Sequence, residues 1–269
     1  MFISPQRRKD AEKIELIIKS MALFTGTNLV ELDSSESTNN YALNLLRKKQ
    51  PFEGTIVRTF CQTLGRGQRQ KQWESEDFSN LTFSLIYYPV FLSVSKQFQL
   101  SKAIALGVAD FVKSTAKIED VKIKWPNDIY VGNKKIAGIL IENTVSGNKI
   151  SSAVIGIGLN VNQTTFRQEI PNPVSLKMIA GKELDLENCF QKLCVSLEAR
   201  YMQLKAGKEN VINEHYHKAL YGLNEEREFI IDNKNMIAEI IGVDDLGRLK
   251  LEANGIVTAY DLHHVVFKI

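Results

Sequence analysis

The sequence contains little cysteine, and its three cysteines form no recognisable motif. Cys61, Cys189 and Cys194 are odd in number, and none belongs to a C-x-x-C pair. A zinc or dithiol redox site of that type is therefore excluded. Buried, reduced thiols are the favoured interpretation, and they are typical of a reducing compartment.

The sequence also lacks a long apolar run. Three basic residues at positions 7–9 precede an apolar stretch that Glu15 and Lys19 interrupt, so no signal-peptide core is predicted. No run reaches the length of a membrane-spanning helix. We therefore expect a cytoplasmic protein without a membrane partner.

A strong excess of either charge is missing as well. The 34 basic and 31 acidic residues give a formal net charge of +3. This excess is too small to indicate a nucleic-acid or membrane partner, so a partner must be inferred from specific sites. The 269 residues leave room for one large domain and a small second one.

Hydrophobic spacing predicts an α+β fold. Helical spacing occurs at 9–22, 38–49, about 96–117, 184–206 and about 208–220. Strands are predicted at 55–60, 81–88, 121–125, 129–131, 135–142 and 150–161. The strand series indicates a mostly antiparallel sheet with helices on one side.

The pattern changes from Glu228 onward to five short β segments separated by turn residues. Such a series is typical of a small barrel that forms a separate C-terminal domain. The predicted divisions are an N-terminal extension at 1–29, a main domain at 30–222 and a C-terminal domain at 223–269.

The polar segment 62–73, which we name the G-R-G loop, is the first candidate for a chemical site. It has no apolar side chain between Leu64 and Trp73, but it contains two glycines and three cations. Glycines let the backbone approach an anion, arginines neutralise phosphate, and an aromatic ring stacks on a base. The pattern favours a mobile phosphate clamp, although a solvated surface loop is the alternative for a lone G-R-G.

Four further segments carry candidate ligand-binding residues, and each has a structural alternative. The cluster 34–39 is a ligand site or a helix N-cap, and the corner 124–128 is a ligand site or a β-turn. Segments 134–142 and 154–162 carry glycines within apolar strands. These glycines indicate either the close approach of a ligand or tight packing.

In their order and spacing, these segments resemble the catalytic domain of biotin–protein ligases over roughly residues 30–220. The terminal β segments resemble the SH3-like barrel that follows this class II synthetase-like domain. The family pattern reads approximately S-T-N, Q-T-x-G-R-G-R-R-G-R-x-W, K-W-P-N-D, K-x-A-G-I-L-x-E and G-x-G-x-N-x-N. The chain departs from it at Gln68, Gln70 and Lys71, which replace an arginine, a glycine and an arginine. The loop therefore carries less positive charge than the family pattern.

The resemblance implies a ligase that activates biotin with ATP and transfers it, through biotinyl-5′-AMP, to a lysine of a biotin carboxyl carrier domain of a carboxylase. Mg²⁺ would accompany ATP without a fixed protein metal site. Lys135 is expected beside the biotin carboxylate and the α-phosphate, with Arg66 closing over the phosphate. Asp128 is the candidate to accept the proton of the acceptor lysine.

Two sets of binding residues follow from the same resemblance. The expected biotin-binding residues are Ser37, Thr38, Asn39, Gln62, Gly65, Gly67, Lys135, Gly138 and Ile139. The expected adenylate-binding residues are Arg66, Gly67, Gln68, Arg69, Trp73, Lys124, Trp125, Asn127, Gly158 and Asn160.

Three alternative functions remain open at this point. A lipoate or octanoate ligase would share a related catalytic fold. A DNA-binding repressor is disfavoured, because about thirty-six residues precede the Ser-Thr-Asn cluster and they lack a helix-turn-helix pair. A non-catalytic biotin-binding module would not need Arg66 and Lys135 together. We therefore expect no DNA partner, leave a homodimer open, and interpret the four histidines as structural.

Overall fold

A computed structural model of the chain describes residues 22–68, 72–168 and 170–268. Nearly all of the predicted helix at 9–22 lies outside the described residues, as do Arg69, Gln70 and Lys71 of the G-R-G loop. Among the described residues, no helix combines the length and the apolar character needed to cross a membrane.

The described chain alternates strands and helices before it ends in a run of strands. The strands are β1 (Leu29–Ser35), β2 (Ile56–Gln62), β3 (Gly65–Arg66), β4 (Gln72–Trp73), β5 (Leu81–Tyr87), β6 (Val121–Lys124), β7 (Asp128–Val131), β8 (Lys134–Ser146), β9 (Lys149–Leu159), β10 (Glu226–Ile231), β11 (Lys234–Val243), β12 (Leu249–Ala253), β13 (Ile256–Tyr260) and β14 (Val265–Phe267). The α-helices are α1 (Thr38–Lys48), α2 (Gln97–Ala116), α3 (Leu176–Ala180), α4 (Leu186–Lys205) and α5 (Glu209–Ala219).

The main sheet has seven strands in the order β1-β2-β5-β9-β8-β7-β6. Only β1 and β2 run parallel, and the remaining neighbours are antiparallel. Gly132 and Gly147, in the turns that join β7 to β8 and β8 to β9, both have positive φ, a conformation that glycine adopts without strain. The expected α+β fold with a mostly antiparallel sheet is confirmed.

Helices cover both faces of this sheet, so the expectation of helices on one side was wrong. Helices α2 and α4 belong to the large core on one face. Helix α1 covers the other face, where Ala42 packs with Val57, Ile86 and Val154. Neighbouring residues of a strand point to opposite faces, which is why Ile56 and Val57 belong to different cores.

Four elements were missed by the sequence patterns. Strand β1 is an edge strand whose alternation is limited to Val30 and Leu32, which is too short to identify a strand. Helix α3 has five residues, which is too short for helical periodicity. Strands β3 and β4 pair antiparallel and give regular structure to the two ends of the G-R-G loop. The mobility expected of that loop stays a prediction.

The C-terminal strands form one antiparallel sheet in the order β13-β12-β11-β10-β14. Its buried residues, such as Phe229 and Leu251, continue the large core of the main sheet. Trp125 also joins the two parts, because its indole Nε1 donates to the carbonyl of Gly247 at 2.8 Å. The C-terminal sheet is thus anchored beside the K-W-P-N-D corner.

The cysteines are free thiols with two different environments. Cys189 and Cys194 are buried, and burial raises the pKa of Cys194 to about 12. This agrees with the expectation of unreactive core thiols. Cys61 is only half-buried, so the same expectation was wrong for that residue.

Candidate active site

Glycines on adjacent strands open a groove on the α1 face of the main sheet. Gly138 of β8 is paired in register with Gly158 of β9, and Leu140 is paired with Gly156. We name Gly138, Gly156 and Gly158 the glycine floor. The adjacent Asp128 on β7 is in register with Gly138, so a carboxylate lies at the edge of the floor. Strand register therefore gathers residues that are far apart in sequence.

Trp73 covers one part of the glycine floor. A methyl group added to Gly158 would lie 2.2 Å from Trp73 Cε2, and one added to Gly138 would lie 3.2 Å from Trp73 Cζ3. The indole Nε1 is buried without a hydrogen-bond partner among the described residues. The absence of side chains on the floor is what admits the indole ring.

An ion pair marks the β7–β8 side of the floor. Lys135 Nζ lies 2.7 Å from Asp128 Oδ1, with both side chains about three-quarters buried. The same ammonium lies 5.7 Å from the centroid of the Trp73 ring. The Lys135 ammonium can therefore bind an anionic ligand that lies on the glycine floor.

A network of hydroxyl and amide groups lies at the beginning of α1. Ser37 caps the helix by accepting a hydrogen bond from the backbone N–H of Asn40 at 3.5 Å. Thr38 donates to Gln62 Oε1 through its backbone N–H at 3.0 Å and its hydroxyl at 3.3 Å. The Ser84 hydroxyl lies 2.8 Å from Thr38 Oγ1. Thr38 and Gln62 are thereby held at the cavity wall with fixed orientation.

Asn39 is tied to the protein through both ends of its amide. Its Nδ2 donates to Glu142 Oε2 at 2.8 Å and to the carbonyl of Leu140 at 3.3 Å, while its Oδ1 lies 2.5 Å from the Ser84 hydroxyl. A methyl group on Gly156 would lie 2.3 Å from this Oδ1. Asn39 therefore fixes α1 to the floor, and a direct contact with biotin stays a prediction.

Arg66 contacts Glu142, the same carboxylate that accepts a hydrogen bond from Asn39. Its guanidinium contacts both carboxylate oxygens of Glu142, at 3.0 and 3.4 Å, and donates to Asn40 Oδ1 at 2.6 Å. Glu142 is four residues beyond Gly138 on β8, a separation of roughly 13 Å along a strand. Arg66 cannot keep these contacts and also reach a phosphate beside Lys135.

The K-W-P-N-D corner forms the end of the cavity nearest the C-terminal sheet. Lys124 Nζ lies 5.1 Å from the ring centroid of Tyr130 and 4.9 Å from that of Phe267. Burial, followed by the nearby Asp128 carboxylate, raises the pKa of Tyr130, so its phenol is protonated at neutral pH. Asn127 donates its side-chain amide to the carbonyl of Ile139. Strand β14 thus supplies an aromatic side chain to the cavity, which the sequence interpretation did not foresee.

Several described residues of segment 161–175, which we name the wall loop, also line the cavity. Asn160 holds it by donating Nδ2 to the carbonyl of Val174 at 3.0 Å. The loop contributes Arg167, whose Nε lies 3.2 Å from Glu74 Oε2. Sequence reasoning missed this loop, because its residues match no motif and only the folded chain brings them to the cavity.

The structure gathers the predicted site residues around one cavity of about 960 Å³. This size is ample for a nucleotide-sized ligand. All of the expected site residues that the structure describes line it, and Arg69 lies outside the described residues. The cavity also has lining residues that were not among the expected site residues: Thr63, Gln72, Glu74, Ser75, Thr82, Phe83, Pro126, Tyr130, Leu140, Gly156, Ile157, Phe166, Arg167, Ile170, Pro171, Pro173, Leu262, Val265, Val266 and Phe267.

No cluster of three or more potential metal ligands occurs within the described ranges 22–68, 72–168 and 170–268.

Two histidines have charged neighbours. The Nδ1 of His215 lies 2.8 Å from an Arg200 nitrogen, and that of His264 lies 2.6 Å from Asp232. The Asp232 carboxylate raises the pKa of His264.

Comparisons with known proteins agree with this geometry. The profile of the Biotin/lipoate A/B protein ligase family matches residues 31–160. The bifunctional ligase/repressor BirA of Bacillus subtilis is 32% identical over 232 residues, which are 85% of this chain and 70% of BirA. The biotin–[acetyl-CoA-carboxylase] ligase of Mycobacterium tuberculosis is 25% identical over 93% of this chain and 95% of its own length.

A solved structure has the same fold. The biotin protein ligase of Aquifex aeolicus, in complex with biotin and ATP, superposes with a TM-score of 0.75 at 23% identity. The alignment covers 90% of this chain and 99% of that one. Together with the 32% identity to BirA, these findings mean that the chain belongs to the biotin protein ligases of the biotin/lipoate A/B protein ligase family.

Proposed function

We propose that this protein activates biotin with ATP and transfers it to a lysine of a carboxylase's biotin carboxyl carrier domain. The observation that carries this proposal is the pairing of Lys135 with Asp128 on a glycine-floored groove. The polar wall formed by Thr38 and Gln62 meets the floor near Gly156, about two residues or roughly 7 Å along the strands from Gly158. A ligand with a polar ring at one end and a carboxylate at the other matches this arrangement.

The first half-reaction joins two anions, so its barrier depends on nearby cations and on positioning. A biotin carboxylate oxygen attacks the α-phosphorus of ATP, the bond to the bridging oxygen breaks, and pyrophosphate leaves. Biotinyl-5′-AMP, a mixed anhydride, remains. Lys135 would stabilise the negative charge that develops on the α-phosphate, while Asp128 orients its ammonium until substrate arrives.

The second half-reaction transfers the biotinyl group. The acceptor lysine attacks the acyl carbon as a free amine, an amide bond forms, and AMP leaves with the anhydride oxygen. The amine must lose a proton in this step, and Asp128 is proposed to accept it. Asp128 would then first orient the Lys135 ammonium and later accept the proton of the acceptor lysine.

The binding assignments made from sequence are proposed with one refinement. Ser37, Thr38, Gln62 and the glycines bind the biotin ring and chain, whereas Trp73, Asn127 and Asn160 border the adenylate. Arg66 is proposed to fix the G-R-G loop through Glu142, which keeps Gly65 and Gly67 at the cavity edge. The direct phosphate contact expected from sequence requires this ion pair to open.

Magnesium is proposed to arrive as the counter-ion of ATP. The nearest cavity carboxylates, Asp128 and Glu74, are paired with Lys135 and Arg167. The donor set therefore suits a Mg²⁺ ion held by phosphate oxygens better than one held by the protein.

The C-terminal sheet is proposed to be an SH3-like barrel and a domain of its own, beginning near residue 223. Five short antiparallel strands and the single 3-10 turn at Leu262–His264 before the last strand support this proposal. Through β14 the barrel would complete the nucleotide end of the cavity. We propose a cytoplasmic protein without a DNA or membrane partner, and a homodimer is compatible with it.

The proposal is tested by ATP–pyrophosphate exchange with biotin or lipoate as the acid. We expect exchange that depends on biotin, followed by biotin transfer to a purified carrier domain. Exchange with lipoate alone would overturn the proposal in favour of the related lipoate ligases. A gel-shift titration with biotinyl-AMP checks the expected lack of DNA binding.

A further inference from the structure

The cavity holds one arginine that neither the family pattern nor the sequence motifs assign. We propose that Arg167 of the wall loop is a catalytic cation that contacts the phosphates of ATP, compensating for the arginine missing at position 68. This inference rests on the proposed ligase function and adds a residue to it.

The wall loop is attached to the backbone of the proposed catalytic lysine. Lys135 donates its backbone N–H to the carbonyl of Asn172 at 2.7 Å, and its own carbonyl accepts from Val174 at 2.9 Å. Asn160 secures the same turn of chain through the carbonyl of Val174. The end of the loop at Asn172 and Val174 is therefore fixed beside Lys135, and Arg167 lies five residues before this anchor.

Among the described residues, four cations line the cavity, and Arg167 is the most available of them. Arg66 is bound to Glu142 and Asn40, Lys135 is bound to Asp128, and Lys124 is 8% exposed between aromatic rings. The Arg167 side chain is 73% exposed and contacts Glu74 through Nε. Its two terminal nitrogens have no partner in the described part of the chain and are free for an anion.

The pair with Glu74 is one that a phosphate can replace. Exposed ion pairs contribute little to stability, because water and salt screen them. A guanidinium binds phosphate through two parallel hydrogen bonds, which is a stronger arrangement than the single contact to Glu74. Binding of ATP would therefore move the Arg167 guanidinium from Glu74 to the phosphates with little loss of free energy.

Position 68 explains why such a cation would be needed. Gln68 lines the same cavity as Arg167, and the family pattern places an arginine there. A glutamine offers hydrogen bonds but no charge to a triphosphate. Arg167 would restore the missing charge from the wall loop.

The experiment compares Arg167→Gln and Arg167→Lys in the full chain, with Lys182→Gln as a control that removes an exposed positive charge elsewhere. We expect Arg167→Gln to raise the KM for ATP in biotin-dependent exchange at least about tenfold, as for a lost charge-assisted contact. Arg167→Lys should lose less, and Lys182→Gln should match the parent. Biotin affinity measured without ATP should stay unchanged in all three variants.

A second variant tests the compensation directly. Adding Gln68→Arg to Arg167→Gln should recover most of the lost ATP affinity, because both positions line the same cavity and either cation would reach the phosphates. An unchanged KM for ATP in Arg167→Gln would overturn the inference, and so would weakened biotin binding without ATP, which would indicate a structural role. A parent that exchanges only with lipoate refutes the proposed function, whereas the Arg167 comparison still runs with that acid.

Discussion

The floor and the rim of the cavity are built in different ways. On the floor, strand register fixes Asp128, Gly138 and Gly158 in one row, and backbone hydrogen bonds hold every member. At the rim, Arg66 on the short strand β3 and Arg167 on the wall loop are held by carboxylates through exposed side chains. The floor is therefore preorganised, whereas the charges at the rim can exchange their partners for a ligand.

This difference separates two tasks that the proposed reaction imposes. Charge stabilisation at the reacting phosphate benefits from a cation that does not move, because reorganisation adds to the barrier. Retention of a reactive anhydride requires groups that open for substrate and close afterwards. The sheet is suited to the first task and the loops to the second.

The largest effect is expected from Lys135→Ala, which removes the cation of the floor. We expect adenylate formation to slow by about 10²–10³-fold, as for other donors aimed at developing charge, while biotin affinity changes much less. Single-turnover formation of biotinyl-AMP measures the rate, and titration without ATP measures the affinity. An unchanged rate would remove Lys135 from catalysis and leave the floor without its proposed role.

The next largest effect on activity is expected from a matched pair of glycine substitutions. Ala at 158 would place its methyl group 2.2 Å from Trp73 Cε2, whereas Ala at 138 would place it 3.2 Å from the nearest indole atom. Forced displacement of a packed ring costs about 1–3 kcal/mol, so Gly158→Ala should lower exchange activity about tenfold or more. Gly138→Ala should lose clearly less.

Equal losses of exchange activity in the two variants would show that the position of the Trp73 ring is unimportant for activity. Thermal unfolding provides the control, because both substitutions lie within strands and neither glycine has positive φ. A similar midpoint in the two variants would assign the difference in activity to the groove.

Sequence reasoning predicted the floor well because its information is local. Glycines within apolar strands and a Lys-Trp-Pro-Asn-Asp corner are visible in short windows, and the register of adjacent strands then brings them together. The glycines at 138 and 158 were assigned to ligand approach, and the structure gives that space to an indole ring as well.

The rim could not be predicted to the same extent. The partners of Arg66 and Arg167 are Glu142 and Glu74, and no spacing rule relates a loop cation to a carboxylate on another element. Phe267 reaches the cavity only because the C-terminal sheet docks through Trp125, a long-range contact that local patterns do not encode. Strand β1 was missed because its apolar alternation is limited to Val30 and Leu32, which is too short to identify a strand.

The smallest effect is expected at the rim, from Arg66→Gly, which should release the intermediate more than it slows its formation. The guanidinium holds the G-R-G loop to Glu142, roughly 13 Å along β8 from Gly138 and the Lys135 ammonium beside it, so its loss should loosen closure without removing charge from the phosphate. Exposed, networked contacts of this kind suggest about tenfold weaker retention, equivalent to about 1.4 kcal/mol. Free biotinyl-AMP would then acylate lysines of an unrelated protein that is incubated with enzyme, biotin, ATP and carrier. Glu142→Gln should reproduce most of this stray labelling, because it breaks the same pair from the sheet side while Arg66 remains. If Arg66→Gly labels the bystander protein and Glu142→Gln does not, Arg66 must instead hold the adenylate directly. The proposed difference between the floor and the rim would then not apply to Arg66.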